Sequence, residues 1–331
     1  MTPKIQARFD GTRYHNPVPT TVMPPGGYAE ALWRWARTGT GLREPARPLG
    51  PFRPDPTALG APSEDVALTW LGHSTVLIEL NGQRFLTDPV WAERASPTPY
   101  VGPKRFFAPP LPLHQLPHLD AILLSHDHYD HLDAQAIRHL AGLNVPFFCP
   151  LGVGNVLRSL AGPRARVTEM DWWQETELAP GFKLACTPAR HFSGRGLLDR
   201  DHTLWASWAL LGPRQRVFFG GDSGPFEAGF AAIGQAYGPF DVALLEIGAY
   251  DAEWADIHMG PTAALQAYQL LGARQLLPIH WGTFNLAYHA WTEPVERLLA
   301  GAAAAGAALL LPRPGQRVLA GSAPLNSGWW R

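Results

Sequence analysis

The run Ser125-His126-Asp127-His128-Tyr129-Asp130-His131 follows directly on the apolar stretch Ala121-Ile122-Leu123-Leu124. No other segment constrains the fold of this chain as strongly. Imidazoles alternate with carboxylates at the point where a buried strand should end, and these side chains bind borderline divalent metals. On an isolated strand His126, His128 and Asp130 would share one face and His131 would point away. A loop following the strand can curl all four inward, so that one turn serves two ions. The competing reading is a polar loop that is merely His-rich.

Three further positions repeat the pattern. His191 follows the stretch Phe182 to Arg190, Asp222 follows Val217-Phe218-Phe219-Gly220-Gly221, and His280 closes Leu276-Leu277-Pro278-Ile279. The paired glycines before Asp222 permit a tight turn and close backbone approach. In α/β sheets, sites assemble at the carboxyl ends of strands. One His after a strand is an ordinary polar residue; four strand ends closing on His or Asp point to a shared site.

Composition narrows the class. The 331 residues are 46% hydrophobic and 17% charged, as in globular enzymes. A net charge of −1 argues against a nucleic-acid-binding face, although Lys104-Arg105 offers a local anion contact. Two cysteines, Cys149 and Cys186, lie in apolar runs and supply neither a disulfide framework nor a thiolate metal site. The first residues lack the apolar core of a signal peptide, and no apolar run reaches membrane-spanning length. The expectation is a cytoplasmic protein, with peripheral membrane contact left open.

Residues 1–64 are rich in Pro and Gly and read as an arm packed on the core. A short helix is expected over Tyr28–Thr38, where Leu32, Trp33 and Trp35 with Arg34 and Arg37 suit either packing or a membrane surface. From Val66 the pattern turns to strands, with Asn81-Gly82 as a hairpin turn between two of them. Strands interleaved with helices from Asp133, Pro261 and Glu293 predict one domain over 65–331. Its class is α/β, with two mixed sheets between helices. The tail, with Trp329-Trp330, suits a packed arm or a contact surface.

Together the motifs resemble the metallo-β-lactamase superfamily: His-x-His-x-Asp-His, a separate His, Asp in Gly-Gly-Asp-Ser-Gly, and a late His. Leu68-Thr69-Trp70-Leu71-Gly72-His73-Ser74-Thr75, Leu86-Thr87-Asp88-Pro89, Gly102-Pro103-Lys104-Arg105-Phe106, Asp171-Trp172-Trp173, Gly248-Ala249-Tyr250 and Ile279-His280-Trp281-Gly282-Thr283-Phe284 are similar to the branch of N-acyl-phosphatidylethanolamine-hydrolysing phospholipases D. The stretch Thr262-Ala263-Ala264, where that branch often carries acidic residues, departs from the pattern.

The resemblance implies a four-layer αβ/βα sandwich carrying two zinc ions, with iron or manganese as alternatives. His126, His128 and His191 would hold the first ion; Asp130, His131 and His280 the second; Asp222 would bridge them. The implied reaction is attack of a metal-bridging hydroxide on a phosphodiester, with Asp130 and Asp222 as ligands acting in catalysis. His289 is the candidate proton donor to the leaving group. Asp88 is expected to support a ligand imidazole or simply to form a turn, and His73 to sit at the site's edge. His258 reads as a surface or capping residue. Lys104, Arg105 and Trp281 are the candidate substrate contacts. Trp91, Trp172, Trp173, Phe106 and Phe107 are candidates for an apolar groove, against a core role for most of them. The substrate implied is N-acyl-phosphatidylethanolamine or a related phospholipid. A metal-dependent lactonase or other ester or amide hydrolase, and a non-catalytic metal-binding paralogue, are the alternatives.

Overall fold

Strand residues here alternate between two separate cores. In Thr75–Leu80, Val76, Ile78 and Leu80 enter one apolar cluster while Leu77 enters another. Phe85 and Leu86, then Leu123 and Ile122, split in the same way. A period of two with both faces buried describes a sheet covered on each side. The computed structural model describes residues 4–24, 27, 33, 34, 37, 41–196 and 198–331. Apart from Trp33, Arg34 and Arg37, the helix expected over Tyr28–Thr38 lies outside the described residues.

A small hairpin of β1 (Arg8–Phe9) and β2 (Tyr14–His15) precedes the sheets. One sheet contains β3 (Ala67–Gly72), β4 (Thr75–Leu80), β5 (Gln83–Thr87), β6 (Ala121–Leu123), β7 (Phe147–Pro150) and β8 (Val167–Met170). The other contains β9 (Glu175–Ala179), β10 (Phe182–Thr187), β11 (Ser207–Leu211), β12 (Arg216–Phe219), β13 (Val242–Glu246), β14 (Gln275–Ile279) and β15 (Ala308–Leu311). β16 (Arg317–Leu319) returns to pair with β3, and β17 (Leu325–Asn326) pairs with β15. The orders are β16-β3-β4-β5-β6-β7-β8 and β17-β15-β14-β13-β12-β11-β10-β9. Each sheet is antiparallel in one part and parallel in another.

Helices α1 (Ala134–Gly142) and α2 (Val153–Ala161) bury Ile137, Leu140, Val153 and Leu157 against the outer face of the first sheet. Helices α3 (Glu227–Tyr237), α4 (Gly260–Leu270) and α5 (Glu293–Ala302) bring Phe230, Ile233, Ala264 and Leu298 to the larger core. The result is the expected αβ/βα sandwich. The Asn81-Gly82 turn forms with φ of 52° and 70°, and Leu80 pairs with Gln83. Helices α2 and α3 carry weak start signals: neither has a side-chain N-cap bond, and α3 contains Gly229 and Gly234. No described helix is long and apolar enough to cross a membrane.

The C-terminal tail packs inward. Trp329 contacts Trp70 and Trp281, and Trp330 Nε1 donates to Glu296 Oε1 at 2.6 Å. The described parts of the 1–64 segment are tied to the core: Trp173 Nε1 donates to the Ile5 carbonyl, Tyr14 N to the Asp201 carbonyl, and Asp55 N to the Gly315 carbonyl.

Glu79 on β4 is fully buried; Arg317 Nε and Nη2 donate to it at 2.8 and 3.0 Å, and Ser63 N at 2.7 Å. Replacing Arg317 by Ala strands that carboxylate and is expected to cost about 3 kcal/mol. The double variant Arg317→Met/Glu79→Gln should recover most of it. Denaturant midpoints check both, and a loss below about 1 kcal/mol in Arg317→Ala contradicts the assignment.

Candidate metal centre

β10 and β12 are both antiparallel to β11 and so run the same way, and β12, β13 and β14 are mutually parallel. Their carboxyl ends therefore open on one side of the sheet and deliver His191, Asp222 and His280 there. β6 delivers the His-rich loop from the facing sheet. The turns are tight. Of the eight non-glycine residues with positive φ among those described, His73, Asp88, Ala249 and His280 all lie here. Such left-handed backbone costs energy and persists where packing over-determines it. Gly221, with φ +57°, has no room for a Cβ, which would overlap Ser125 beside His126. Asp222 can reach the His-rich loop only because its neighbour is glycine.

In the first group, His128 Nδ1 lies 2.8 Å from His126 Nε2 and 3.4 Å from His191 Nε2. Outer partners set the tautomers. Ser125 Oγ donates to Asp88 Oδ2 at 2.6 Å, which leaves it to accept from His126 Nδ1 at 2.8 Å. His191 Nδ1 donates to the Ile257 carbonyl at 3.0 Å. His126 and His191 thus both turn an Nε2 lone pair toward His128. Burial holds both well below the ordinary imidazole range, so they are neutral donors. Lone pairs converging at these distances suit a cation.

The second group gathers Asp130, His131 and His280. Asp130 Oδ2 lies 3.5 Å from His131 Nε2 and 3.4 Å from His280 Nε2, and it accepts from His73 Nε2 at 3.0 Å. Asp222 Oδ2 approaches five ring nitrogens: His131 and His280 at 3.1 Å, His191 at 3.8 Å, and His126 and His258 at 4.0 Å. The buried atoms His131 Nε2, His280 Nε2 and Asp222 Oδ1 nevertheless have no hydrogen-bond partner. Close approach without hydrogen-bond geometry is what ligands around an ion display. Burial would raise Asp130 and Asp222, but the neighbouring histidines, His131 foremost, hold both well below the usual carboxylate range. At His131 and His280 burial acts downward and is outweighed by Asp222 and Asp130, which lift His280 to about 10. The pair of carboxylates calls for positive charge, and these residues could hold a divalent ion.

Asp88 supports both groups. Its Oδ2 accepts from His131 Nδ1 at 2.6 Å as well as from Ser125 Oγ, and its Oδ1 accepts from Ser125 N at 2.7 Å. His73 is buried inside the site, its ring 4.0 Å from that of His280. A brace lies behind the His-rich loop, where Arg195 Nη1 donates to the carbonyls of Asp127 and Leu132 at 2.6 and 3.0 Å.

Several expectations need correction. His289 cannot donate a proton to a substrate: its Nδ1 donates to the Ala290 carbonyl and its Nε2 accepts from Ala249 N, each at 3.0 Å. Lys104 is exposed and pairs with Glu93 at 2.7 Å. Arg105 is buried and binds the carbonyls of Ala92 and Val90, which makes it a clamp on its own loop. Trp281 is buried and stacked on Trp70 at 5.6 Å. Trp172, Trp173, Phe106 and Phe107 take the core role expected for most of these aromatics, and Trp91 is half-buried. His258, read from the sequence as a surface or capping residue, instead faces the site, where Nδ1 donates to buried Glu246 at 2.7 Å. Glu246 closes the apolar strand β13, the same signal as the other ligand positions carry.

A cavity of about 280 Å³ opens over the two groups. His128, Asp130, Asp222, His258 and His280 form its polar floor, and Val22, Met23, Phe192, Trp254, Ile257 and Leu286 contribute apolar walls.

Residues 83–281 match the Beta-lactamase superfamily domain. The chain belongs to the metallo-β-lactamase superfamily. It is a metal-dependent hydrolase of that superfamily, with a candidate His/Asp metal cluster. It is similar to an uncharacterized protein of Mycobacterium tuberculosis, 47% identical over 291 residues that cover 86% of this chain and 77% of that one. It is also similar to N-acyl-phosphatidylethanolamine-hydrolyzing phospholipase D 1 of Caenorhabditis elegans, 42% identical over 241 residues that cover 70% of this chain and 68% of the other. Among solved structures it resembles Igni18, a metallo hydrolase from Ignicoccus hospitalis, with a TM-score of 0.57 and 26% identity over 76% of this chain and 97% of that one.

Asp88→Asn removes the acceptor that orients His131 and Ser125. It should weaken metal retention against a chelator by about 10- to 100-fold with the fold intact. Metal analysis with circular dichroism measures this, and unchanged retention contradicts the role given to Asp88.

Proposed function

We propose that this chain is a two-metal phosphodiesterase of the phospholipase D type, acting on N-acyl-phosphatidylethanolamine or a closely related phospholipid. The similarity to the nematode enzyme points to the reaction. One structural observation carries the reading: the polar floor of converged imidazoles and carboxylates lies directly beneath apolar walls. A phosphodiester flanked by acyl chains presents that same division of polar centre and apolar arms.

His126, His128 and His191 would hold one ion, Asp130, His131 and His280 the other, with Asp222 shared. The thiolate-free, imidazole-rich donor set suits zinc, with iron or manganese as alternatives. When bound, the ions supply Lewis acidity toward phosphoryl oxygens and a water of lowered pKa.

The chain's own residues do the rest. Asp130, ionised and fixed by His73, orients the attacking water through its carboxylate. His258 has its Nδ1 held by Glu246, which leaves Nε2 as the protonatable atom beside the floor. In the reaction a water oxygen adds to phosphorus as its proton passes to the Asp130 carboxylate and on to solvent. The bond from phosphorus to the ethanolamine oxygen breaks, and His258 gives its proton to that oxygen and regains one from solvent. The products are a phosphatidic acid and an N-acylethanolamine. The apolar walls, Met23 and Trp254 among them, receive acyl chain and exclude water.

The purified chain should release N-acylethanolamine from N-acyl-phosphatidylethanolamine in mixed micelles, and Asp222→Asn and His128→Ala should abolish the release. His258→Asn should lose about 100-fold or more on that substrate. It should lose far less on a nitrophenyl phosphodiester, whose leaving group needs no proton. Product quantification by mass spectrometry decides. Lactone opening without phosphodiester cleavage contradicts the proposal, as does equal sensitivity of both substrates to His258→Asn.

A further inference from the structure

His191 stands apart from the other imidazoles of its group. All three lie beyond the strands they follow, since β6 ends at Leu123 and β10 at Thr187, and the His191 N–H and carbonyl have no strand to pair with. A side chain from the N-terminal segment holds its peptide instead. Asn16 Nδ2 donates to the His191 carbonyl at 2.6 Å, and His191 N donates to Asn16 Oδ1 at 3.1 Å. The amide pairs with the peptide as a neighbouring strand would. Arg190, one residue earlier, fastens the same segment, donating to the Pro19 carbonyl at 2.6 Å and to Thr20 Oγ1 at 2.9 Å. The segment then continues through Val22 and Met23 into the cavity wall. His191 itself is fully buried.

We infer that Asn16, supplied from outside the 83–281 superfamily domain, is a positioning residue for the three-imidazole group, so that this group binds its ion tightly only with the arm docked. The Ile257 carbonyl fixes how the His191 ring turns; Asn16 fixes where its backbone stands. A metal ligand must be held to about 0.5 Å. Gly224 N holds the Arg190 carbonyl at 2.7 Å and Ser223 Oγ accepts from Arg190 N at 3.0 Å, and Asn16 supplies the remaining hold on the His191 N–H and carbonyl. The catalytic domain alone is therefore an incomplete site. This inference rests on the two-metal reading above, and the experiment separates failure of one from failure of the other.

The full-length chain loaded with zinc is dialysed against graded chelator, and the zinc retained per chain is measured together with the thermal midpoint. Asn16→Ala should release one of its two ions at a chelator concentration about 10- to 100-fold below that needed for the wild type, while the second ion follows the wild-type curve. Asn16→Asp keeps the acceptor for His191 N but loses the donor, and should fall between; it decides on the same criterion if Asn16→Ala does not fold. Trp173→Phe, which loosens the arm only at Ile5, should retain both ions as the wild type does. An Asn16→Ala curve matching the wild type overturns the inference, as does parallel loss of both ions. Loss of an ion in Trp173→Phe equal to that in Asn16→Ala also overturns it, since the effect would then be general loosening. A wild-type chain that retains no zinc overturns the two-metal reading itself and this inference with it.

Discussion

Two ionised carboxylates, Asp222 buried and Asp130 at the cavity floor, sit among imidazoles, and the rest of the molecule is arranged around compensating them. A buried carboxylate is stable only when opposite charge or donors surround it. Here His131 Nε2 and His280 Nε2 each approach Asp222 Oδ2 to 3.1 Å without hydrogen-bond geometry. Divalent ions resolve that conflict, and the neutral, lone-pair-inward tautomers of His126 and His191 are already set for them.

The sandwich explains how such a cluster can form. Strands buried on both faces tolerate few polar side chains along their length, and those, like Glu79 with Arg317, need partners, so the ligand residues collect at strand ends. Parallel alignment puts those ends on one side. The glycine at 221 and the left-handed backbone at His73, Asp88 and His280 let loops from two sheets meet. Asp88 contacts both ligand groups, through Ser125 beside His126 and through His131 directly.

The parts legible in the sequence were those whose signal is local. The seven candidate ligands lie in the short loops that follow four apolar runs, and the Asn81-Gly82 hairpin is written in two residues. What escaped depends on long-range pairing. Nothing near His289 says that the Ala249 amide occupies its Nε2, and nothing near His258 says that Glu246 lies opposite. Arg105 and Trp281 looked available because the burial of Arg105 depends on how its own loop folds back onto the Val90 and Ala92 carbonyls, and that of Trp281 on Trp70 and the C-terminal tryptophans. Asn16 gave no signal, since its partner is a backbone peptide far along the chain. Helices α2 and α3 lacked the capping residues by which a helix start is read.

The paired metal centre is the claim on which the functional reading stands. Anomalous diffraction from crystals of the purified chain, recorded above and below the zinc edge, tests it directly. The account predicts two peaks, one among His126, His128 and His191 and one among Asp130, His131 and His280, each in contact with Asp222. A single peak, or none at these residues in protein whose solution metal content has been measured, would contradict it.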